Sequence, residues 1–420
     1  MAEANGGGAG SGAAPAVERR GPMLVVLTGG AFATALNVTL LSPLLVRIAA
    51  DVGVSVAAAG QLATVAAACA GTTALAVAPL LDRYPRRFWL RLQCAILVAG
   101  TLVAALAPSF GWLFAGRALA GVGGAVIGAT CLAACGDPFA DRGERNRAIA
   151  FVTCGFTLGA VFGLPLITLV AEASDWRWAI ALPIPFALIV IVGASKLTAA
   201  VAVPAGSAWA AWRDGYRRVL GSGQTLWLLA AVVAFMFVWF SWIIYFGALA
   251  ETAFAVGAAL LSVLFLVGGV AELAGNNLAP VLLRRWSARD IGSITAVVTG
   301  VNLLLVGVAY VAQGSLFAFI AVGSLTGAVL FIVLNVALLD SLPDGQGAVM
   351  ALQSASLEIG GALGVAATGA ALALVGDLVA VYRLLGLVMP LVIVLLVLAA
   401  RRSAGPAASP AEPELGPVEG

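Results

Sequence analysis

Three charged residues stand out because of where they fall. Glu272, Glu358 and Arg117 each interrupt a long apolar run. A carboxyl group can take up or release a proton, and loss of water disfavours its charged form, so an acid in apolar surroundings can titrate near neutral pH. Each acid has polar company: Asn276 follows Glu272 by one helical turn, and Ser354 precedes Glu358 by one. Each reads either as a proton-exchanging group or as the protonated partner of an interhelical hydrogen bond. The chain has no histidine, which removes the usual neutral-pH base and the commonest metal ligand. Its five cysteines lie in apolar segments. Cys131 and Cys135 share a helix face, but two thiols alone make a poor zinc site. No metal, cofactor or disulfide framework is expected.

The elements that hold these residues follow from composition. Hydrophobic residues make up 62% of the chain and charged ones 10%, with a mean hydropathy of +1.07. A soluble domain carries about 25% charged residues. So apolar a surface needs a bilayer as its solvent. Twelve segments have spanning length: 23–46, 56–79, 90–107, 112–134, 148–170, 177–196, 225–247, 257–282, 291–311, 315–339, 347–374 and 379–400. They are called spans 1 to 12 below. Lipid cannot satisfy free backbone groups, so they are expected to be helices. Arg19-Arg20 precedes a run too long for a signal peptide, which reads as a retained first span.

With the N-terminus inside, only Arg47, Arg177 and Arg383 fall on outer segments. The other basic residues outside the spans are cytoplasmic, which places both termini in the cytoplasm. The net charge of +2 gives no footprint for nucleic acid. Residues 1–20 and 403–420 read as disordered, with six-helix bundles at 21–196 and 225–402 joined by a linker at 197–224. In that linker Trp209, Trp212, Tyr216 and Leu220 share a helical face opposite Arg213 and Arg217, a pattern for a helix lying on the inner membrane surface. The halves repeat at an offset of 201: Ala78–Leu81 matches Ala279–Leu282, and Gly159 and Gly163 match Gly360 and Gly364. Two structural repeats are therefore expected.

Between spans 2 and 3 the chain reads "LLDRYPRRFWL". This resembles the major facilitator superfamily, whose signature there is G-x-L-x-D-R-x-G-R-R/K-x-x-L. Leu80, Asp82, Arg83, Arg86, Arg87 and Leu90 match, while Ala78 and Pro85 replace the two glycines. The resemblance implies a cytoplasmic latch formed by Asp82, Arg83, Arg86 and Arg87; the alternative is a topology anchor. Arg117, Gly121, Gly123 and Ala125 follow the superfamily's R-x-x-x-G-x-G-x-A pattern in span 4. An arginine within a span costs about 2.5–3.5 kcal/mol, so Arg117 either faces a cavity or partner or snorkels outward. Gly155, Gly159, Gly163 and Pro165 look like the span-5 motif of the drug:proton antiporter branch, with Ala160 where proline usually stands. That ridge also suits close packing alone. "APSF" and "DWRW" resemble outer loops of the same branch, and the resemblance covers roughly 23–402.

It implies an all-α membrane protein of twelve transmembrane helices in two pseudo-symmetric six-helix halves, exporting a small organic solute by alternating access in exchange for protons. The bilayer, the solute and protons are the implied partners, with no obligatory protein partner, and the location is the bacterial cytoplasmic membrane. Relatives often carry an acid in span 1; here 23–46 has none and offers Asn37. That leaves Glu272, Glu358 and Arg117 for proton coupling. Spans 1, 4, 7 and 10 would line the cavity, with Asn37, Trp239, Trp242, Tyr245 and Asn335 facing the solute or, for the aromatics, lipid. Proton symport or facilitated diffusion of a sugar or amino acid is the alternative mode. A membrane-embedded enzyme or receptor is a remote one: there is no H-E-x-x-H, no mid-span aspartate pair and no P-loop.

Overall fold

The computed structural model describes residues 20–81, 84–136, 142–196, 208–342 and 346–403. The expectations for 1–20 and 403–420, for the first part of the linker, and for Asp82 and Arg83 fall on or extend into residues outside these. Among the described residues, eleven helices are long and apolar enough to cross a membrane. Ala288–Leu304, with 17 residues, completes the twelve as span 9.

Several spans are built in pieces, each with a local cause. Span 1 runs from Arg20–Thr39 through a turn and a 3-10 segment, Ser42–Leu44, to Leu45–Val52. Pro43 cannot donate to the carbonyl one turn back, and its ring crowds it. Span 5 comprises Arg142–Leu158, a π-helical turn at Gly159–Gly163, and Leu164–Ala173. The wider turn sits just where Pro165 lacks an N–H for Val161. Span 7 is unbroken at 32 residues, Gly223–Phe254.

Contacts obey one rule: adding six to each span number maps the first half onto the second. Spans 1–5, 1–6, 2–4, 3–4 and 3–6 pack together, as do 7–11, 7–12, 8–10, 9–10 and 9–12. The match reaches single residues. A Cβ on Gly159 would approach the Phe32 carbonyl, and one on Gly163 would touch Leu36; Gly360 and Gly364 stand in the same way against Val233 and Phe237. All four correspondences share the offset of 201 legible in the sequence.

Two seams join the halves. Span 2 lies along span 11, and span 5 meets span 8. We call the end bearing Arg20, Arg86, Arg147, Arg284 and Arg402 the arginine-rich end. At the opposite, far end, the Ser42 hydroxyl donates to the Ile243 carbonyl, and Gly247 packs against Ser42 and Pro43. Span 8 packs against the middle and far parts of span 5 but makes no comparable contact with Arg142–Leu158. Along the seam of spans 5 and 8 the halves are thus closed at the middle and far end and parted toward the arginine-rich end, while spans 2 and 11 stay packed along their length.

The linker helix, Ala208–Gly221, docks on protein. Gly215 and Val219 are buried, with Gly215 against Ala348 at the start of span 11, while Leu220 is exposed. Of the expected apolar face, Tyr216 is half-buried and Leu220 exposed, and the side chains of Trp209 and Trp212 lie outside the described residues.

Candidate functional site

Arg117 is buried, 2% exposed. Its Nη1 donates to Asn37 Oδ1 at 3.0 Å and its Nη2 to the Asn37 backbone carbonyl at 3.2 Å. That carbonyl lies in the last turn of Arg20–Thr39, where the break leaves acceptors without helical donors. The guanidinium thus caps the broken helix and meets the negative end of its dipole. Gly124 makes room, since a Cβ there would come within 2.8 Å of Asn37 Nδ2. Asn37 itself is 5% exposed and its oxygens are engaged.

Both intramembrane acids sit on seams between the halves, and both belong to the second half. On span 8, Glu272 shares a face with Gly268 and Gly275, which pack on span 10, and with Gly269, which packs on Ala160 and Val161 of span 5. Residues three and four apart on a helix are neighbours, so Glu272 lies where spans 5, 8 and 10 converge. On span 11, the Cβ of Glu358 is held against Gly71 of span 2: a Cβ on Gly71 would come within 2.9 Å of it. Both glutamates are half-buried. Neither carboxyl makes a hydrogen bond or ion pair among the described residues.

The glycine ridge of span 5 packs on span 1. Gly155 faces the Thr28 carbonyl, Gly159 faces Ala35 and Gly163 faces Leu36. A turn-by-turn match of small residues lets the two backbones approach. Pro165 follows in the far part of span 5.

The structure brings Trp239 and Trp242 together, their ring centroids 5.1 Å apart. Trp239 is half-buried and lies on Gly327 of span 10, where a Cβ would fall 1.9 Å from the ring. Trp242 is 3% exposed and packs edge-on to Phe319. Tyr245 is elsewhere, at the far-end seam, with its hydroxyl between Gly60 of span 2 and Gly369 of span 11. Asn335 donates to the Phe331 carbonyl at 2.7 Å and accepts from Gln353 on span 11. Sequence reasoning passed over Gln353, buried at 4% exposure, although a glutamine within an apolar span is the same kind of signal as Glu358. Gly71 carried no such signal.

In the segment between spans 2 and 3, Arg86 donates to the Leu81 carbonyl at 3.2 Å. Arg87 is exposed on another face, beside Phe88 and Arg91. No group of residues able to hold a metal ion occurs among the described residues.

Comparison with known proteins places this geometry. A family model described as Major Facilitator Superfamily matches residues 27–312. The MFS-type transporter YbcL of Bacillus subtilis is 30% identical over 138 residues, 33% of this chain and 35% of that protein. The puromycin resistance protein pur8 of Streptomyces alboniger is 28% identical over 174 residues, 41% of this chain and 35% of that one. Multidrug resistance protein Stp of Mycobacterium tuberculosis is 29% identical over 117 residues, 28% and 22% of the two chains. The chain thus spans at most 35% of the length of these three relatives. A crystal structure of a bacterial homolog of the human lysosomal transporter Spinster, inward-facing and unoccupied, superposes with a TM-score of 0.64 at 18% identity, covering 94% of this chain and 97% of that one.

Proposed function

Because this chain belongs to the Major Facilitator Superfamily, and is a multi-pass membrane transporter rather than an enzyme, we propose that it exports a small organic solute in exchange for protons. The observation that carries this reading is the placement of Glu272 and Glu358. Each is a carboxyl without a partner among the described residues, on a seam that must rearrange when the halves rock, so its exposure to water changes with the state of the transporter. The names of two relatives, a puromycin resistance protein and a multidrug resistance protein, favour export of drug-like or natural-product solutes.

In this mechanism 21–196 and 225–402 move as two bodies about a site near the midplane, tethered by 197–224. The arginine-rich end is cytoplasmic, with both termini on that side of the bacterial cytoplasmic membrane. Protons loaded from outside leave Glu272 and Glu358 when the cytoplasmic side opens, and the solute then binds beside Trp239. Asp82, Arg83, Arg86 and Arg87 latch the cytoplasmic ends in the opposite state. Arg117 holds the break in span 1 rather than exchanging a proton. One proton crossing about 100 mV yields ~2.3 kcal/mol, a concentration ratio of roughly 50 at about 1.4 kcal/mol per tenfold. One chain with no protein partner suffices.

The test is uptake into inverted membrane vesicles, offering drugs, sugars and amino acids in turn. Accumulation of a compound against its gradient, abolished by an uncoupler, is the expected result. Mere equilibration insensitive to the uncoupler would mean a facilitator.

A further inference from the structure

Span 3 turns one face away from the rest of the protein. Phe88, Leu92 and Leu102 are exposed along it, and in a twelve-span membrane protein such a face meets lipid. Arg91 is exposed on the same face. At the arginine-rich end, Tyr84, Pro85, Arg87, Phe88, Arg91 and Leu92 line an open groove of about 710 Å3. The rings of Tyr84 and Phe88 lie 5.3 Å apart at its mouth, the kind of aromatic pair that settles at headgroup depth.

The two arginines are a turn apart, so they stand one above the other. Arg91 Nε donates to the Ile191 carbonyl of span 6 at 3.3 Å. That bond orients the guanidinium and leaves its remaining N–H groups for another acceptor. Arg87 makes no hydrogen bond or ion pair among the described residues. Two cations with no acidic partner among the described residues, beside an apolar, lipid-facing strip, suit an anion, and guanidinium forks match phosphate oxygens in pairs.

We propose that this groove binds the phosphate of an anionic phospholipid. Arg87 and Arg91 would hold the headgroup while the acyl chains follow Leu92 and Leu102 down span 3. The apolar strip continuous with the groove favours a lipid over free phosphate. This inference does not rest on the direction or coupling of transport.

The test uses the full-length protein in phosphatidylcholine nanodiscs, titrated with phosphatidylglycerol while bound anionic lipid is counted by native mass spectrometry. Near a charged membrane surface each arginine is worth about a fivefold change in binding. R87Q/R91Q should therefore bind phosphatidylglycerol roughly 30-fold more weakly than wild type. R284Q/R285Q, which removes two exposed arginines of the same end, should bind like wild type. Equal loss in both double variants would overturn the proposal in favour of a diffuse surface field. Displacement of the lipid by an equal concentration of inorganic phosphate would overturn it in favour of a plain anion site. Should R87Q/R91Q not fold, R91K serves instead: it keeps the charge but gives up the oriented fork, and unchanged affinity in it would contradict the proposal.

Discussion

Arg117 on span 4 donates to both the side-chain and main-chain oxygens of Asn37 on span 1, at 3.0 and 3.2 Å. Cation and helix break are one unit: the unwinding at Leu40–Leu44 frees the carbonyl that the guanidinium takes. Hydrogen bonds to charged groups contribute about 1.5–3 kcal/mol. Asn37→Ala should cost about that much and lower the apparent melting temperature by several degrees. Asn37→Asp, which offers the same acceptors with a compensating charge, should melt no lower than wild type. Equal losses in both variants would mean that Arg117 is held by something other than Asn37.

Gly71 controls the position of Glu358. A Cβ at Gly71 would meet the glutamate's own Cβ at 2.9 Å, a contact between two main-chain-anchored atoms that no rotamer change relieves. Gly71→Ala should therefore push spans 2 and 11 apart and reduce transport severalfold, with overpacking costing about 1–3 kcal/mol. Gly29→Ala, where a Cβ would meet nothing within 4 Å, serves as the control and should transport normally. Normal transport by Gly71→Ala would show that the seam yields freely there.

The neighbouring tryptophans should separate when mutated. Trp242 is buried, and removing so large a core side chain costs about 3–5 kcal/mol, so Trp242→Ala should show its effect in expression and thermal stability. Trp239 is half-buried on Gly327. Its replacement by alanine should raise the apparent KM for a flat solute about tenfold, in line with a lost stacking contact, and spare the maximal rate. A change in maximal rate alone would place Trp239 outside the solute site.

Much of this architecture is legible in the sequence because the bilayer leaves few choices. Apolar runs set the spans, and the offset of 201 announces that Gly159 and Gly360 hold equivalent places in two repeats, though not that they pack on spans 1 and 7. Arg117 and the two glutamates stand out for the same reason: charges in lipid need an explanation. Their partners are less visible. Asn37 reads as a cavity residue because a polar side chain in span 1 has no label saying it is taken, and only the break at Pro43 reveals the carbonyl that draws Arg117. Tyr245 is indistinguishable by pattern from Trp239, yet it fills the far-end seam between Gly60 and Gly369. Pairings across the seams depend on register between helices distant in sequence, and periodicity within one span carries no record of it.

The central claim is that Glu272 and Glu358 carry the exchanged protons. Its most direct measurement is proton movement in proteoliposomes holding an imposed pH gradient, after addition of a solute that the wild-type protein accumulates. The account predicts that the solute dissipates the gradient through wild-type protein and not through the E272Q/E358Q double variant, which should still exchange labelled for unlabelled solute. Dissipation by the double variant at the wild-type rate would contradict it.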